Sequence, residues 1–304
     1  LKEVKKYTDV IRFGKSQTTN VIQEGDYISI TEKIDGANSS FCLDETNQLG
    51  ISCYSHKTLL SEEMRLRGFY DWIEINIFPI KVKLNPNYRY YGEWLCSHKV
   101  IYKPEIYNNF YLFSIWDEDK QEYLSDDVVK SEASKLNIQT VTYFYEGKFI
   151  SFDHLMSFVG KSDKTLEINK GEGIVVKNIN YKDKFGNQVF VKLVSEKFTE
   201  VQKQKSPKDP NIDSELIEKI KSVLTIARVD KLIHKLVDDG ILQENYNIEN
   251  MSTILKGLGS KVFEDIIKEE SELFINDEEN KIKKIIGKSL PNIVKNILKE
   301  ENRL

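Results

Sequence analysis

After about residue 206 the hydrophobic pattern of this chain turns wholly helical, whereas before it strand-like runs and helical patterns mix, so the two parts fold by different rules. Before the change, short runs rich in β-branched and aromatic residues recur at 27–31, 39–43, 88–95, 110–116, 173–177 and 189–194, bounded by Gly, Asn and Asp. Helical patterns at 62–77 and 126–136 lie between them. These strands do not alternate regularly with helices. The pattern predicts an α+β domain over 1–205, built of antiparallel sheets with flanking helices, rather than a doubly wound fold. The stretch Lys203-Gln204-Lys205-Ser206-Pro207-Lys208-Asp209-Pro210-Asn211 has two prolines and no large apolar side chain except the stems of its lysines. It reads as a linker centred on 206–211. Beyond it the apolar residues fall at three- and four-residue spacing. Leu216, Ile217, Ile220, Val223 and Leu224 make one stripe, and Ile254, Leu255, Leu258, Val262 and Ile266 another. Ile282, Ile285 and Ile286, then Ile293, Val294 and Ile297, predict two further short helices. Residues 212–304 are therefore expected to form a small all-α domain.

Hydrophobic residues make up 40% of the 304, with 15 Tyr and 15 Phe, so a sizeable core can form. The net charge of −4 argues against a protein that coats nucleic acid nonspecifically. It leaves room for an enzyme whose basic residues line one groove. The three cysteines, Cys42, Cys53 and Cys96, have no metal-ligand spacing. Cys42 and Cys53 lie in strand-like apolar runs and are expected in the core. No signal-peptide pattern and no bilayer-length apolar run are seen, so a cytosolic protein, of a cell or of an infected cell, is expected, with no membrane partner.

Chemistry centres on Glu32-Lys33-Ile34-Asp35-Gly36-Ala37-Asn38. A strand-like run leads into it and Asp35-Gly36 is a turn signal, which sets Lys33 at the mouth of a tight turn. Taken alone, Lys-x-Asp-Gly is more often a hairpin with a solvated lysine. Four elements follow it in order. Gly92-Glu93-Trp94 ends a strand-like run. Phe110-Tyr111-Leu112-Phe113-Ser114-Ile115-Trp116-Asp117 is a hydrophobic strand. Glu172-Gly173-Ile174-Val175-Val176-Lys177 sets a carboxylate and a lysine at the two ends of an apolar strand, and Val191-Lys192-Leu193 lies in the next.

These segments together resemble the motifs of the covalent nucleotidyltransferases: ATP-dependent DNA ligases, RNA ligases and mRNA capping enzymes. The resemblance covers about residues 25–205. The segment 198–203 and the helical tail are similar to RNA ligases of the RNA ligase 2 type. DNA ligases and capping enzymes usually continue into an OB barrel, and no barrel pattern follows residue 206. The fold implied is a nucleotidyltransferase (ATP-grasp-like ligase) domain followed by helices.

The resemblance implies a role for each position. Lys33 matches the nucleophile that takes AMP. Glu32, Asn38, Glu93, Phe113, Lys177 and Lys192 complete the ATP-binding set. Within it Asn38 acts near the phosphates, Glu93 binds ribose, Phe113 stacks on adenine, and the two lysines hold phosphate. Glu172 matches a metal-holding carboxylate, for Mg²⁺ or Mn²⁺. The residue types suit this chemistry. Attack on phosphorus needs a neutral amine, and under about 1% of a free lysine is neutral at pH 7. Lys177, Lys192 and a divalent cation are expected to lower the Lys33 pKa and to stabilise charge on the phosphoryl oxygens.

The sequence departs from the family at three places. His56-Lys57 stands where many members carry an arginine, so a planar fork is lost. Val194 occupies the place of a second lysine, with Lys197 nearby. Trp94-Leu95-Cys96-Ser97-His98-Lys99 lacks the usual glycines, and His98 stays outside the catalytic set. The expectation is a monomeric ATP-dependent RNA ligase that joins 5′-phosphate and 3′-hydroxyl ends. The alternatives are a DNA ligase, a guanylyltransferase charged by GTP, and a binding module that has kept the fold and lost the chemistry. The intact Lys33, Glu93, Glu172, Lys177 and Lys192 weigh against the last.

Overall fold

The computed structural model describes residues 2–195, 212–275, 277 and 279–304. The chain divides into two compact units, Leu1–Ser195 and Glu196–Leu304. The expected linker at 206–211, the segment 198–203 and Lys197 lie outside the described residues.

In chain order the strands of the first unit are β1 (Val10–Arg12), β2 (Tyr27–Lys33), β3 (Ala37–Leu43), β4 (Ile51–Ser55), β5 (Tyr88–Trp94), β6 (Phe110–Asp117), β7 (Glu122–Tyr123), β8 (Gln139–Thr140), β9 (Tyr143–Lys148), β10 (Gly173–Lys182) and β11 (Gln188–Val194). Helices α1 (Phe69–Trp72), α2 (Asp126–Leu136) and α3 (Phe152–Met156) lie among them. One sheet has the order β1-β11-β10-β2-β9, and the other β4-β3-β5-β6-β7 with β8 added on β6. The pairs are antiparallel except β1 with β11 and β6 with β8. This is the α+β architecture the sequence predicts.

Side-chain alternation explains how each sheet finds its core. Ile28 and Ile30 of β2 join Ile174 and Val176 of β10 in one fully buried cluster. Phe41, Tyr90, Trp94, Phe110 and Leu112 build a second cluster beneath the other sheet, with Cys53 among them. Fully burying side chains of this size stabilises by about 1.5–3 kcal/mol each. The three cysteines are free and buried. Tyr7, Tyr91, Tyr123 and Phe190 form a third cluster that joins residues of both sheets.

One expectation for this unit needs correction. The helix expected over 62–77 forms only as α1 and continues as a wider turn over Ile73–Ile77 and a tighter one over Phe78–Lys83. Leu66, Arg67 and Gly68 all have φ in the left-handed region, at 44°, 52° and 95°, and a right-handed helix cannot pass through them. The Asp35-Gly36 turn is not the hairpin that Lys-x-Asp-Gly taken alone more often forms. β2 and β3 belong to different sheets, so residues 34–36 carry the chain from one sheet to the other. A Cβ on Gly36 would lie 2.5 Å from the Trp94 carbonyl oxygen, so only glycine fits this crossing.

The second unit is helical: α4 (Ile212–Val223), α5 (Ile226–Asp238), α6 (Met251–Glu270) and α7 (Glu279–Glu300). Thr225 caps α5, its hydroxyl accepting from the Arg228 N–H at 3.1 Å. The Arg228 guanidinium is fully buried and reaches Asp265 at 2.9 Å and the Val223 carbonyl at 2.6 Å. The two short helices expected over 282–297 are a single helix, α7, with Pro291 inside it. Ile282, Ile286, Leu290, Val294 and Ile297 form one buried stripe across the proline. Burial of that stripe outweighs the roughly 3 kcal/mol that an interior proline costs. No helix among the described residues is long and apolar enough to cross a membrane.

Candidate active site

The pleat and the strand register decide which side chains meet. Ser29, Thr31 and Lys33 point to the face of β2 opposite its core residues. Lys33 pairs with Gly173, Thr31 with Val175 and Ser29 with Lys177. Val175 pairs in turn with Lys192 on β11. Paired residues share a face, so Lys33, Lys177 and Lys192 lie on one face of the sheet. Arg12 pairs with Lys192 and joins this row. Arg12 carries no usable signal in the sequence, because a three-residue strand is too short to show a period.

On the other sheet, Asn38 pairs with Glu93 and Glu93 with Tyr111. Tyr91 pairs with Ser114 and Gly92 with Leu112, so Phe113 is the extra residue of a bulge. Bulges re-aim side chains, and here the re-aimed one is the expected base-stacking ring. Its ring meets Tyr7 edge-on, with centroids 4.9 Å apart. Both sheets thus turn their expected nucleotide-binding residues toward one another.

The Lys33 ammonium donates to Glu172 Oε2 at 2.6 Å. Its side chain remains 24% exposed, enough for a substrate to reach it. Burial acts to lower its pKa, but Glu172, Glu93 and Asp35 pull it up more strongly, and the net shift is upward. In the absence of nucleotide and cation, the groups that act most strongly on Lys33 are carboxylates, and they favour its protonated form. Glu93 is pushed up to about 8, mainly by burial, with Glu172 adding to the rise against the pull of Lys33. Its Oε1 accepts the Gly36 N–H at 3.0 Å. Glu172, a hard oxygen donor beside Lys33, suits a divalent cation that takes one or two carboxylates and completes its shell with phosphate.

Lys177 lies deeper than a phosphate ligand in open solvent would. Its ammonium, on a side chain only 3% exposed, donates to the Phe113 carbonyl and to Asp126 Oδ1, the latter at 3.1 Å. Glu32 points away from Lys33, as adjacent strand residues must. Its buried carboxylate accepts from Ser162, from Thr142 at 2.7 Å and from Lys164 at 3.2 Å. Asp126, Ser162, Thr142 and Lys164 carry no motif, and only the folded chain brings them to these positions.

Asp35 anchors the crossing between the sheets. Its Oδ2 accepts the backbone N–H groups of Lys99 at 2.9 Å and Val100 at 2.8 Å, and its own N–H donates to the Tyr102 hydroxyl at 2.8 Å. His98 Nδ1 lies 3.5 Å from Oδ1. Burial acts to raise the Asp35 pKa, but His98, the Val100 N–H and Lys33 outweigh it and hold the carboxyl well below the usual carboxylate range. Its contribution to stability is therefore present above its unfolded pKa of about 3.9 and is lost as pH falls below that value. Urea unfolding of Asp35→Ala should show a loss of about 1–3 kcal/mol at pH 7, and a smaller gap from the parent at pH 3. An equal gap at both pH values would mean that the carboxylate charge does not hold the turn.

At the departures from the motif, His56 is half-buried and Lys57 exposed in the turn after β4. Val194 ends β11. The structure thus gathers Lys33, Glu172 and Glu93, with Asn38 opposite Glu93. It sets Lys177 and Glu32 in separate buried networks.

The RNA ligase family model matches residues 26–194, more than half of the chain. The chain belongs to the RNA ligase family. No curated protein matches it. Among solved structures it is similar to an RNA ligase of Naegleria gruberi. The form with ATP and Mn shows 19% identity and a TM-score of 0.44, with 63% of this chain and 56% of that one covered. The form with PPi shows 19% identity and a TM-score of 0.44, covering 64% and 57%. An apo mutant of the same ligase shows 20% identity and a TM-score of 0.47, also covering 64% and 57%. This chain spans less than two thirds of their length.

Proposed function

We propose that this family member is an ATP-dependent RNA ligase that works as a cytosolic monomer. The observation that carries the reading is Lys33 at the end of β2, its ammonium against Glu172, with Glu93 beside both. In the first step the Lys33 amine attacks the α-phosphorus of ATP, its proton is lost, and the bond to the β-phosphate breaks to release pyrophosphate. A 5′-phosphate oxygen of RNA then attacks the lysyl-adenylate and frees the amine. Last, a 3′-hydroxyl attacks that 5′-phosphate, a phosphodiester forms and AMP leaves. These are phosphoryl transfers, governed by positioning and electrostatics.

Phe113 stacks on adenine, Glu93 accepts from ribose, and Asn38 and Lys192 bind phosphate. Mg²⁺ or Mn²⁺, held at Glu172, supplies charge neutralisation of the phosphate oxygens. The helical second unit, where DNA ligases and capping enzymes usually carry a barrel, supports RNA as the substrate.

The test uses α-labelled ATP and GTP, then nicked duplexes with RNA or DNA on the 3′-hydroxyl side. Label should come from ATP alone, and joining should need RNA at the 3′ side, where a 2′-hydroxyl can be read. Joining should also weaken as salt rises, through counterion release. Labelling by GTP would move the protein to the capping enzymes, and equal joining of all-DNA nicks to the DNA ligases. No labelling at all would leave a binding module.

A further inference from the structure

We propose that Asp126 is a positioning residue for adenylyl transfer, which through Lys177 fixes the distance between the base-stacking Phe113 and the phosphate-facing sheet; this rests on the ligase reading above. Asp126 opens α2, and that helix is fixed to the β6 side of the unit by Val129, Ala133 and Leu136, which enter the core beneath it. Three side chains of the opposite sheet grip its carboxylate. Lys177 donates to Oδ1 at 3.1 Å, the Tyr143 hydroxyl donates to the same oxygen at 3.1 Å, and the Ser29 hydroxyl donates to Oδ2. Ser29 and Lys177 are register partners, and Tyr143 pairs with Thr31, so the three donors project from adjacent strands of one face. The Lys177 ammonium also donates to the carbonyl of Phe113, on the bulge of β6. Asp126 and Lys177 therefore form a strut between the sheets that ends on the backbone of the ring expected to hold adenine.

The strut is charged at neutral pH. Burial acts to raise the Asp126 pKa, but Lys177 and the Ser29 and Tyr143 hydroxyls outweigh it and leave it below its ordinary value. Phe113 and Asp126 both engage the Lys177 ammonium, which also lies 5.7 Å from the centre of the Phe190 ring. Without the carboxylate charge the ammonium loses its anchor and Phe113 its fixed place, so base and phosphate are no longer held at a fixed separation.

The experiment measures Lys33 adenylylation in the full chain, with KM for ATP and maximal rate read separately and thermal melting recorded beside them. Asp126→Asn keeps the shape and removes the charge. It should raise KM for ATP about tenfold and slow the maximal rate about tenfold, as expected for a lost buried charge contact in a transfer site. Asp126→Glu should recover part of both. Ser29→Ala and Tyr143→Phe leave the carboxylate in place and should each cost a few-fold, which keeps the test open should Asp126→Asn fail to fold. In a Lys177→Met background, Asp126→Asn should add little, because the two act as one unit. A folded Asp126→Asn protein with parental KM and rate overturns the strut alone, even with a lower melting point. A parent that takes no label from ATP overturns the ligase reading and the strut with it.

Discussion

Protein incubated with α-labelled ATP and Mg²⁺ should carry label through a denaturing gel, and Lys33→Ala should reduce that label to background. The effect should be total because, among the described residues, the groups that act most strongly on Lys33 are carboxylates, Glu172, Glu93 and Asp35, and Lys177 is engaged by Asp126 and Phe113. The substitution should fold. Lys33 ends its strand, and its side chain is partly exposed rather than part of either sheet core. The label should also be acid-labile, as a phosphoramidate is and a phosphoester is not. A Lys33→Ala protein that labels as well as the parent would sink the nucleophile assignment, and mapping the labelled peptide would name its replacement.

Glu172→Gln should produce two effects of opposite sign. Adenylylation should fall a hundredfold or more, on the order of 3 kcal/mol, if the carboxylate proposed to hold the cation beside the reacting phosphate is removed. In the nucleotide-free protein the same change should lower the pKa of Lys33, since after burial the Glu172 charge is the largest influence on it and acts upward. A pH titration of Lys33 against an amine-reactive reagent reads the second effect without ATP. In the nucleotide-free protein Glu172 thus favours the ammonium of Lys33 over the neutral amine that attack requires. If Glu172→Gln adenylylates faster at neutral pH, Glu172 is a counter-ion only and the cation must be held elsewhere.

The sequence was most legible where a motif coincides with a strand. Runs rich in β-branched and aromatic residues located β2, β3, β5, β6, β10 and β11, and hence the segments that carry Lys33, Glu93, Phe113, Glu172 and Lys192. It was least legible where a side chain acts across long sequence separation. Nothing in 126–136 marks Asp126 as a partner of Lys177, fifty-one positions away. The electrostatics of the nucleotide-free site were hidden for a similar reason, since the motifs do not show that pleat and register bring carboxylates close to Lys33. The strands β1, β7 and β8 are too short to show a period, and each depends on a neighbour that is already folded. The break at Leu66 to Gly68 has a physical cause that apolar spacing does not record, since helical spacing continues through residues whose backbone is left-handed.

The parallel pairing of β1 with β11 sets an order of assembly. The strands β3 to β7 are contiguous in the chain and pair with near neighbours, so their sheet can close from local contacts while synthesis continues. The other sheet has to wait. Val10 cannot meet Phe190, nor Arg12 meet Lys192, until almost the whole first unit has left the ribosome. The row of Arg12, Lys192, Lys177 and Lys33 on that sheet is therefore complete only once β11 has paired with β1.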